Sequence, residues 1–385
     1  MKAEAIKRVV VRGTNWVGDT VMTLPALREL RRLLPNAHIT VVTRAGTAGL
    51  LSDVDFIDAL MLDESSGLLA VGSQIRKWKQ GNFDLAVLFP NSFQAALIPF
   101  LARVPSRLGY EADRRGFLLT HRLPQPEWRN SRHETFYYLN IVSALDQLIN
   151  GASQIIERVP DTSIQVSTER LDAASDALRK MGIRDGHPIV ALCPGSINSR
   201  AKRWPAERYA ALADRLIEEL DADVLLIGSA AEHDVSVEVA ARMRRQPIIA
   251  TGATDLSGAV AMLSLVDLLI TNDTGPAHIA SALGRPTLVI FGPTNPLTTR
   301  PLSSAGEIIR HPPVCAPCML RDCPIDHRCM TAVSPDEVFA RAAGMLRIET
   351  TAKNEDTPDE QPIAQELIHP AKQTPDKLKF AGHPR

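Results

Sequence analysis

The sequence predicts two α/β domains, each a doubly wound parallel sheet, and three observations carry that prediction. The chain has 385 residues, more than one hydrophobic core ordinarily organises. Short apolar, β-branched segments alternate with helix-period segments along its length, as parallel strands joined by crossover helices require. The alternation pauses at Val159-Pro160-Asp161-Thr162-Ser163, which reads as a linker, and then restarts.

In the first half, strands are expected at residues 9–12, 38–43, 57–62 and 84–89, with helices at 24–34, 47–51 and 68–79. Leu24, Leu27, Leu30 and Leu34 recur at helical spacing with Arg28, Glu29, Arg31 and Arg32 on other faces, so that stripe is core packing. The apolar run 95–101, near Arg103 and Arg107, is expected to be a buried helix, with a membrane-surface role as the alternative. In the second half, strands are expected at 188–193, 224–228, 247–250, 266–270 and 287–291, with helices at 168–181, 205–220 and 232–245. Ser334 can cap a last helix with Pro335 at its first position, running to residue 348. The domains expected are therefore 1–160 and 161–348. The tail 349–385, rich in Pro, Gln, Asp and Glu, reads as disordered.

Composition narrows the function. A 45% hydrophobic and 23% charged chain matches soluble globular proteins. A net charge of −1 excludes a globally basic nucleic-acid binder. No apolar run approaches the ~20 residues a membrane span needs, and Met1–Arg8 leads into a strand rather than a secretory segment. A cytoplasmic location is expected.

The segment 266–294, VDLLITNDTGPAHIASALGRPTLVIFGPT, reads as strand, polar turn, helix, glycine stop and second strand. It sets Thr274, Gly275 and the amides near His278 at a helix N-terminus beyond a strand end, where an anion such as phosphate is favoured. An ordinary turn capped by Asp273 would have the same sequence. Gly13-Thr14-Asn15-Trp16-Val17-Gly18-Asp19 follows the first strand but is not G-x-G-x-x-G, which disfavours a nicotinamide enzyme. From spacing alone, Asp19 reads as an N-cap before a general base. Pro194-Gly195-Ser196 and the cations Arg200, Lys202 and Arg203 follow the first strand of the second half, opposite the Asp273–Gly275 turn. They form an anion site for a diphosphate or a solvated loop, and not a P-loop. Glu232, after another strand end, either meets ribose hydroxyls or sits in the first turn of a helix.

Asp53-Val54-Asp55 and Asp221-Ala222-Asp223 match a metal-binding D-x-D pattern but precede strands, and both read as solvated turns. Cys315, Cys318, Cys323 and Cys329 cluster in a Pro-rich stretch near His311 and His327. A structural zinc site or a loop of reduced thiols fits that spacing.

Taken together, GTNWVGDTVMTLPALREL, PGSINSRAKRWP, GSAAEH and NDTGPAHIASALGRPTLVIFGPT resemble the ADP-heptose:lipopolysaccharide heptosyltransferases of glycosyltransferase family 9. The match is nearest to members that add the second heptose, and it extends to about residue 347. The resemblance implies a GT-B architecture of two Rossmann-like domains facing a cleft, acceptor on the first and donor on the second. It implies an inverting transfer of heptose from ADP-L-glycero-D-manno-heptose to the first heptose of the lipopolysaccharide inner core. No cofactor is implied, and the enzyme would work at the cytoplasmic face of the inner membrane. Asp19 takes the position of the catalytic base and Lys202 that of the donor-phosphate lysine, which reverses the spacing-only reading of Asp19. Gly195, Ser196, Glu232, Asp273, Thr274, Gly275 and His278 fall in the donor pocket. Asn15, Arg107, Arg132 and His133 are the acceptor candidates, with Arg44, Asn91, Arg114 and Arg115 as further contacts. A transferase using the same donor with another acceptor, and a sugar-nucleotide epimerase of the same fold, are the enzymatic alternatives. A metal-dependent scaffold around the cysteines is the non-enzymatic one.

Overall fold

The computed structural model describes residues 1–63 and 67–352. Strands β1 (Arg8–Arg12), β2 (His38–Thr43), β3 (Ala59–Leu62), β4 (Leu85–Leu88), β5 (Ser106–Tyr110) and β6 (His121–Leu123) form a parallel sheet ordered β3-β2-β1-β4-β5-β6. Helices α1 (Val17–Leu33), α2 (Ala45–Ala48), α3 (Leu68–Gln80), α4 (Phe93–Leu101) and α5 (Glu134–Asn150) accompany it. Strands β7 (Ile189–Cys193), β8 (Asp223–Leu226), β9 (Ile248–Ile249), β10 (Leu268–Asn272), β11 (Thr287–Ile290) and β12 (Gly306–Ile309) form a second parallel sheet ordered β12-β11-β10-β7-β8-β9. With it go α6 (Thr168–Met181), α7 (Ala206–Leu220), α8 (His233–Ala240), α9 (Leu256–Leu263), α10 (Gly275–Ala282), α11 (Pro296–Thr299), α12 (Arg328–Thr331) and α13 (Pro335–Ala352).

Counted within its own half, each sheet runs 3-2-1-4-5-6. In that Rossmann order the connections reverse between the first and fourth strands, and a crevice opens outside their carboxyl ends. The two crevices belong to β1/β4 and β7/β10. The central strands are buried on both faces: Val9, Val10 and Val11 of β1 and Leu268, Leu269 and Ile270 of β10 are fully inaccessible. Each such side chain contributes roughly 1.5–3 kcal/mol. Helix α1 packs against α10, so the apolar cluster around Val21 and Leu24 continues into Ile279 and Ala280 and joins the halves. Two further ties cross between them. His133 Nε2 bonds Arg300 O, and Asp53 accepts from both the Ser167 amide and Arg170.

The fold departs from expectation at several places, each with a local cause. Helix α1 begins at Val17, seven residues before the leucine stripe, and Pro25 lies within it. Helix α8 stops at Ala240 because the Asp214 carboxylate takes the amide hydrogens of Arg244 and Arg245, which a continuing helix would need. Strands β5, β6 and β12 were not anticipated. Helix α13 continues to Ala352, past the expected stop at 348, and the rest of the proposed tail lies outside the described residues. In α4 the inner face buries Ala95, Ala96, Ile98 and Pro99, while Phe93, Phe100 and Leu101 are exposed. The D-x-D carboxylates are bound by guanidinium groups: Asp53 by Arg170, and Asp221 and Asp223 by Arg184. Asp223 is buried within β8, so it is not a solvated turn residue.

Candidate active site

The first crevice is built by the turn after β1. Gly13 is required there because a Cβ would come 3.1 Å from the Val42 carbonyl oxygen. Trp16, not Asp19, occupies the N-cap of α1, and Asp19 sits in the first turn. Its carboxylate receives no hydrogen bond from the described residues and lines a cavity of about 220 Å³. Thr14, Asn15, Trp16, Phe89, Pro90, Asn91, Arg129, Glu134, Tyr137 and Tyr138 complete the lining. Burial first, then the Glu134 carboxylate, push Asp19 up to about 6, against the pull of Lys202 and Arg129. An Asp with that proton affinity is ionised at neutral pH yet basic enough to take a proton.

The second crevice holds the cation. Ser199–Lys202 runs into a short 3₁₀ turn, Arg200–Lys202. Lys202 Nζ donates to Asp273 Oδ2 at 2.9 Å and to Asp273 O at 3.0 Å. Thr294 Oγ1 donates to the same carboxylate oxygen at 2.7 Å. Thr274 is the N-cap of α10, and its hydroxyl donates to Asn272 O. Asn272 carries the two loops: its Oδ1 accepts from the Trp204 amide, and its Nδ2 donates to Pro194 O and Gly195 O. Gly195 approaches Glu232 so closely that a Cβ would lie 2.3 Å from Oε1. Glu232 Oε2 accepts from the amide and hydroxyl of Ser229, a capping box at the 3₁₀ turn Ala230–Glu232. Ser196 is buried beside this turn, and its carbonyl accepts from Arg203.

Asp19, Lys202, Asp273, Thr274 and Gly275 thus converge from two crevices. A Cβ on Gly275 would lie 3.0 Å from Val17 of α1, so the second helix start abuts the first. Asn15 belongs to the Asp19 cavity, its Oδ1 accepting from Arg12 and Arg44. Asn91 lines the same cavity and donates to Tyr137 Oη.

Other candidates have structural duties instead. His133 is almost inaccessible: its Nδ1 accepts from the Thr135 amide to cap α5, and its Nε2 bonds Arg300 O across the halves. Burial lowers it to about 4, so the ring is neutral. Arg107 donates to Leu118 O and Val104 O at the far end of β5. Arg132 donates to Ile156 O and lies over the Phe136 ring at 3.6 Å. Arg115 is fully buried, donating to Tyr110 O and Pro90 O. His278 is likewise neutral, lowered to about 4 by burial, and its ring packs on Gly18. Sequence reasoning missed Arg129, Glu134, Tyr137 and Tyr138, which only the packing of α5 and the turn before it on α1 brings to Asp19.

Burial first, then the nearness of Cys318, Cys323 and Cys315, raises the Cys329 thiol, and no group of three His, Cys, Asp or Glu placed to hold a metal is found among the described residues. Cys329 is buried beneath Gly292, while Cys315 is exposed. Their loop instead braces the Lys202 turn: Ala201 N–H donates to Arg321 O, Ser199 Oγ to Arg321 O, and Met319 N–H to Pro293 O.

Two Rossmann-like halves with a carboxylate and a cation at facing switch points define a GT-B glycosyltransferase. The chain belongs to glycosyltransferase family 9 (heptosyltransferase), whose profile matches residues 71–328. It is 31% identical over 315 residues to lipopolysaccharide heptosyltransferase 2 of Salmonella typhimurium, covering 79% of this chain and 88% of that protein. The Escherichia coli heptosyltransferase of the same name is 31% identical over 313 residues, with the same coverage. Among solved structures, that of E. coli ADP-heptose LPS heptosyltransferase II superposes with a TM-score of 0.75 at 27% identity, covering 89% of this chain and 99% of that one. A family 9 glycosyltransferase from Veillonella parvula has the same fold, with a TM-score of 0.76 at 24% identity, covering 89% of this chain and 97% of that one.

Proposed function

We propose that this protein is an inverting heptosyltransferase that moves heptose from ADP-heptose to the first heptose of the lipopolysaccharide inner core. The acceptor is assigned to residues 1–160 and the donor to residues 161–348. The carrying observation is the opposition of Asp19, a proton-affine carboxylate in the first crevice, to the Asp273-anchored Lys202 in the second. Close similarity to lipopolysaccharide heptosyltransferases 2 supports the donor and acceptor classes.

The chemistry follows from charge. An acceptor hydroxyl in the 220 Å³ cavity loses its proton to Asp19 as its oxygen bonds the anomeric carbon. The bond from that carbon to the diphosphate oxygen breaks on the opposite face, so configuration inverts and the electron pair leaves with ADP. Lys202 and the amides at the start of α10 meet that developing charge. Glu232, Gly195 and Ser196 are assigned to the rest of the donor. Metal independence is part of the proposal: the cation needed at the diphosphate is supplied by Lys202, and both D-x-D carboxylate pairs already hold arginines. No helix among the described residues is long and apolar enough to cross a membrane. Exposed Phe93, Phe100, Leu101 and Phe117, with Arg103 and Arg114, are assigned to peripheral contact with the membrane carrying the acceptor.

The deciding experiment measures ADP release from ADP-heptose with purified protein. Release that requires an acceptor already bearing one heptose supports the assignment. Release only with the heptose-free core moves the activity to the preceding step. No release with either refutes the proposal.

A further inference from the structure

The proposed mechanism gives no task to two charged side chains beside Asp19. Arg129 lies in the 3₁₀ turn Glu127–Asn130, and Glu134 opens α5. Arg129 Nη2 stands 3.0 Å from Glu134 Oε1, and the guanidinium lies over the Tyr137 ring at 3.6 Å from its centroid. The other arm of the guanidinium, Nη1, is buried with no hydrogen-bond partner among the described residues. Both residues line the cavity that contains Asp19. The two side chains keep 30% and 17% of their exposure, so a ligand oxygen in the cavity can reach the pair.

We propose that Arg129 and Glu134 form the subsite that reads the acceptor sugar as a neutral polyol. The accessible edge of the Arg129 guanidinium donates to one ring hydroxyl, Glu134 accepts from its neighbour, and the exposed Trp16 ring carries the apolar face of the sugar. This rests on the transferase reading given above. The charge balance selects a neutral group. Arg129 is already compensated by Glu134, so a phosphate or carboxylate entering here would face two carboxylates, Glu134 and Asp19. The other cation that acts on Asp19 is Lys202, which Asp273 already holds. A carboxylate and a guanidinium side by side match the alternating donor and acceptor pattern of vicinal hydroxyls, and the cavity has room for about one ring.

The charged groups facing Asp19 are Glu134 and Arg129 from the α5 side and Lys202 from the second half, with the neutral His278 ring behind Gly18 and the Tyr138 phenol alongside. Glu134 holds the Asp19 proton affinity up and Arg129 holds it down, so removing each moves Asp19 in opposite directions. That pair of shifts reports the charges beside Asp19, and the acceptor KM and acceptor binding report the subsite.

The test is steady-state transfer by the wild type, Glu134→Gln and Arg129→Met, with donor and acceptor varied separately and kcat/KM followed against pH. Both variants are expected to raise the acceptor KM by roughly tenfold or more, with the donor KM unchanged. The acid limb of the kcat/KM profile is expected to move to lower pH in Glu134→Gln and to higher pH in Arg129→Met. An acceptor KM within twofold of wild type in Glu134→Gln, the isosteric variant, overturns the proposal. So does equally tight use of an acceptor phosphorylated on the receiving sugar. A wild type that transfers nothing counts against the function proposed above. Calorimetric binding of the same acceptor then reads the subsite alone: loss in Glu134→Gln supports it, and unchanged binding overturns it.

Discussion

Lys202 and Asp273 are joined twice, the ammonium donating to a carboxylate oxygen and to the backbone carbonyl of the same residue. Asp273 is 4% exposed in its side chain against 26% for Lys202, so the buried partner fixes the accessible one. The cation is held in place before any diphosphate arrives, which is the preorganisation that charge stabilisation requires. Asp273→Asn is therefore expected to keep the fold, to lower kcat by roughly 10–100-fold, and to weaken ADP binding. Titration calorimetry with ADP alongside initial rates checks this. Unaltered ADP affinity together with normal turnover would remove Lys202 anchoring from the mechanism.

Asp19→Asn removes the base while keeping the shape. Transfer is expected to fall by roughly 10²–10⁴-fold, with donor binding retained. Single-turnover rates measure it, and near-normal turnover would sink the assignment.

The pH profile follows from the same residue. Asp19 is raised from 3.8 to about 6, so the wild-type kcat/KM is expected to decline below about pH 6 as the base protonates. Stability carries the opposite sign. A carboxyl whose folded pKa is raised favours the native state fully below pH 3.8, and that contribution is lost as pH climbs through about 6. Asp19→Asn should therefore be more stable than wild type at pH 7.5, by up to about 3 kcal/mol, and no more stable at pH 4. Denaturant melts at the two pH values test the prediction. Equal stabilisation at both would contradict it.

Gly18 is a place where the halves meet closely. A Cβ there would fall 2.9 Å from His278 Cδ2. Gly18→Ala is expected to cost about 1–3 kcal/mol and to be largely restored by adding His278→Ala, which makes room for the methyl group. A double-mutant cycle read by denaturant melts decides it, with simple additivity arguing against the contact.

The sequence displayed the central strands most clearly. Residues 38–43 and 168–181 coincide with β2 and α6, because one is an uninterrupted β-branched run and the other is a periodic helix closed by Gly182 in the left-handed region. Strands β6 and β12 escaped because edge strands pair on one side only, and three or four residues such as His121–Leu123 carry no apolar pattern. In the site, Asp273 stood out because its turn directly follows β10, Lys202 as one of three cations before a helix start, whereas spacing made Asp19 a cap and only the family resemblance made it a base. Arg129 and Glu134 were not legible: they lie more than a hundred residues from Asp19 and take their place through the packing of α5 on α1. His133, an acceptor candidate in the sequence, caps α5 in the structure, a role that its place before a helix start does not distinguish from ligand contact in sequence.

The repeated 3-2-1-4-5-6 order has an evolutionary corollary. Neither half contains a complete reaction centre; each offers one rim, assembled from the loops after its own first and fourth strands. A lineage can therefore rewrite the receiving rim, through the turns after β1 and β4 and the start of α5, without disturbing the nucleotide rim after β7 and β10. Diversification of such enzymes is then expected to concentrate in three short segments of the amino-terminal half, with the leaving-group machinery inherited intact.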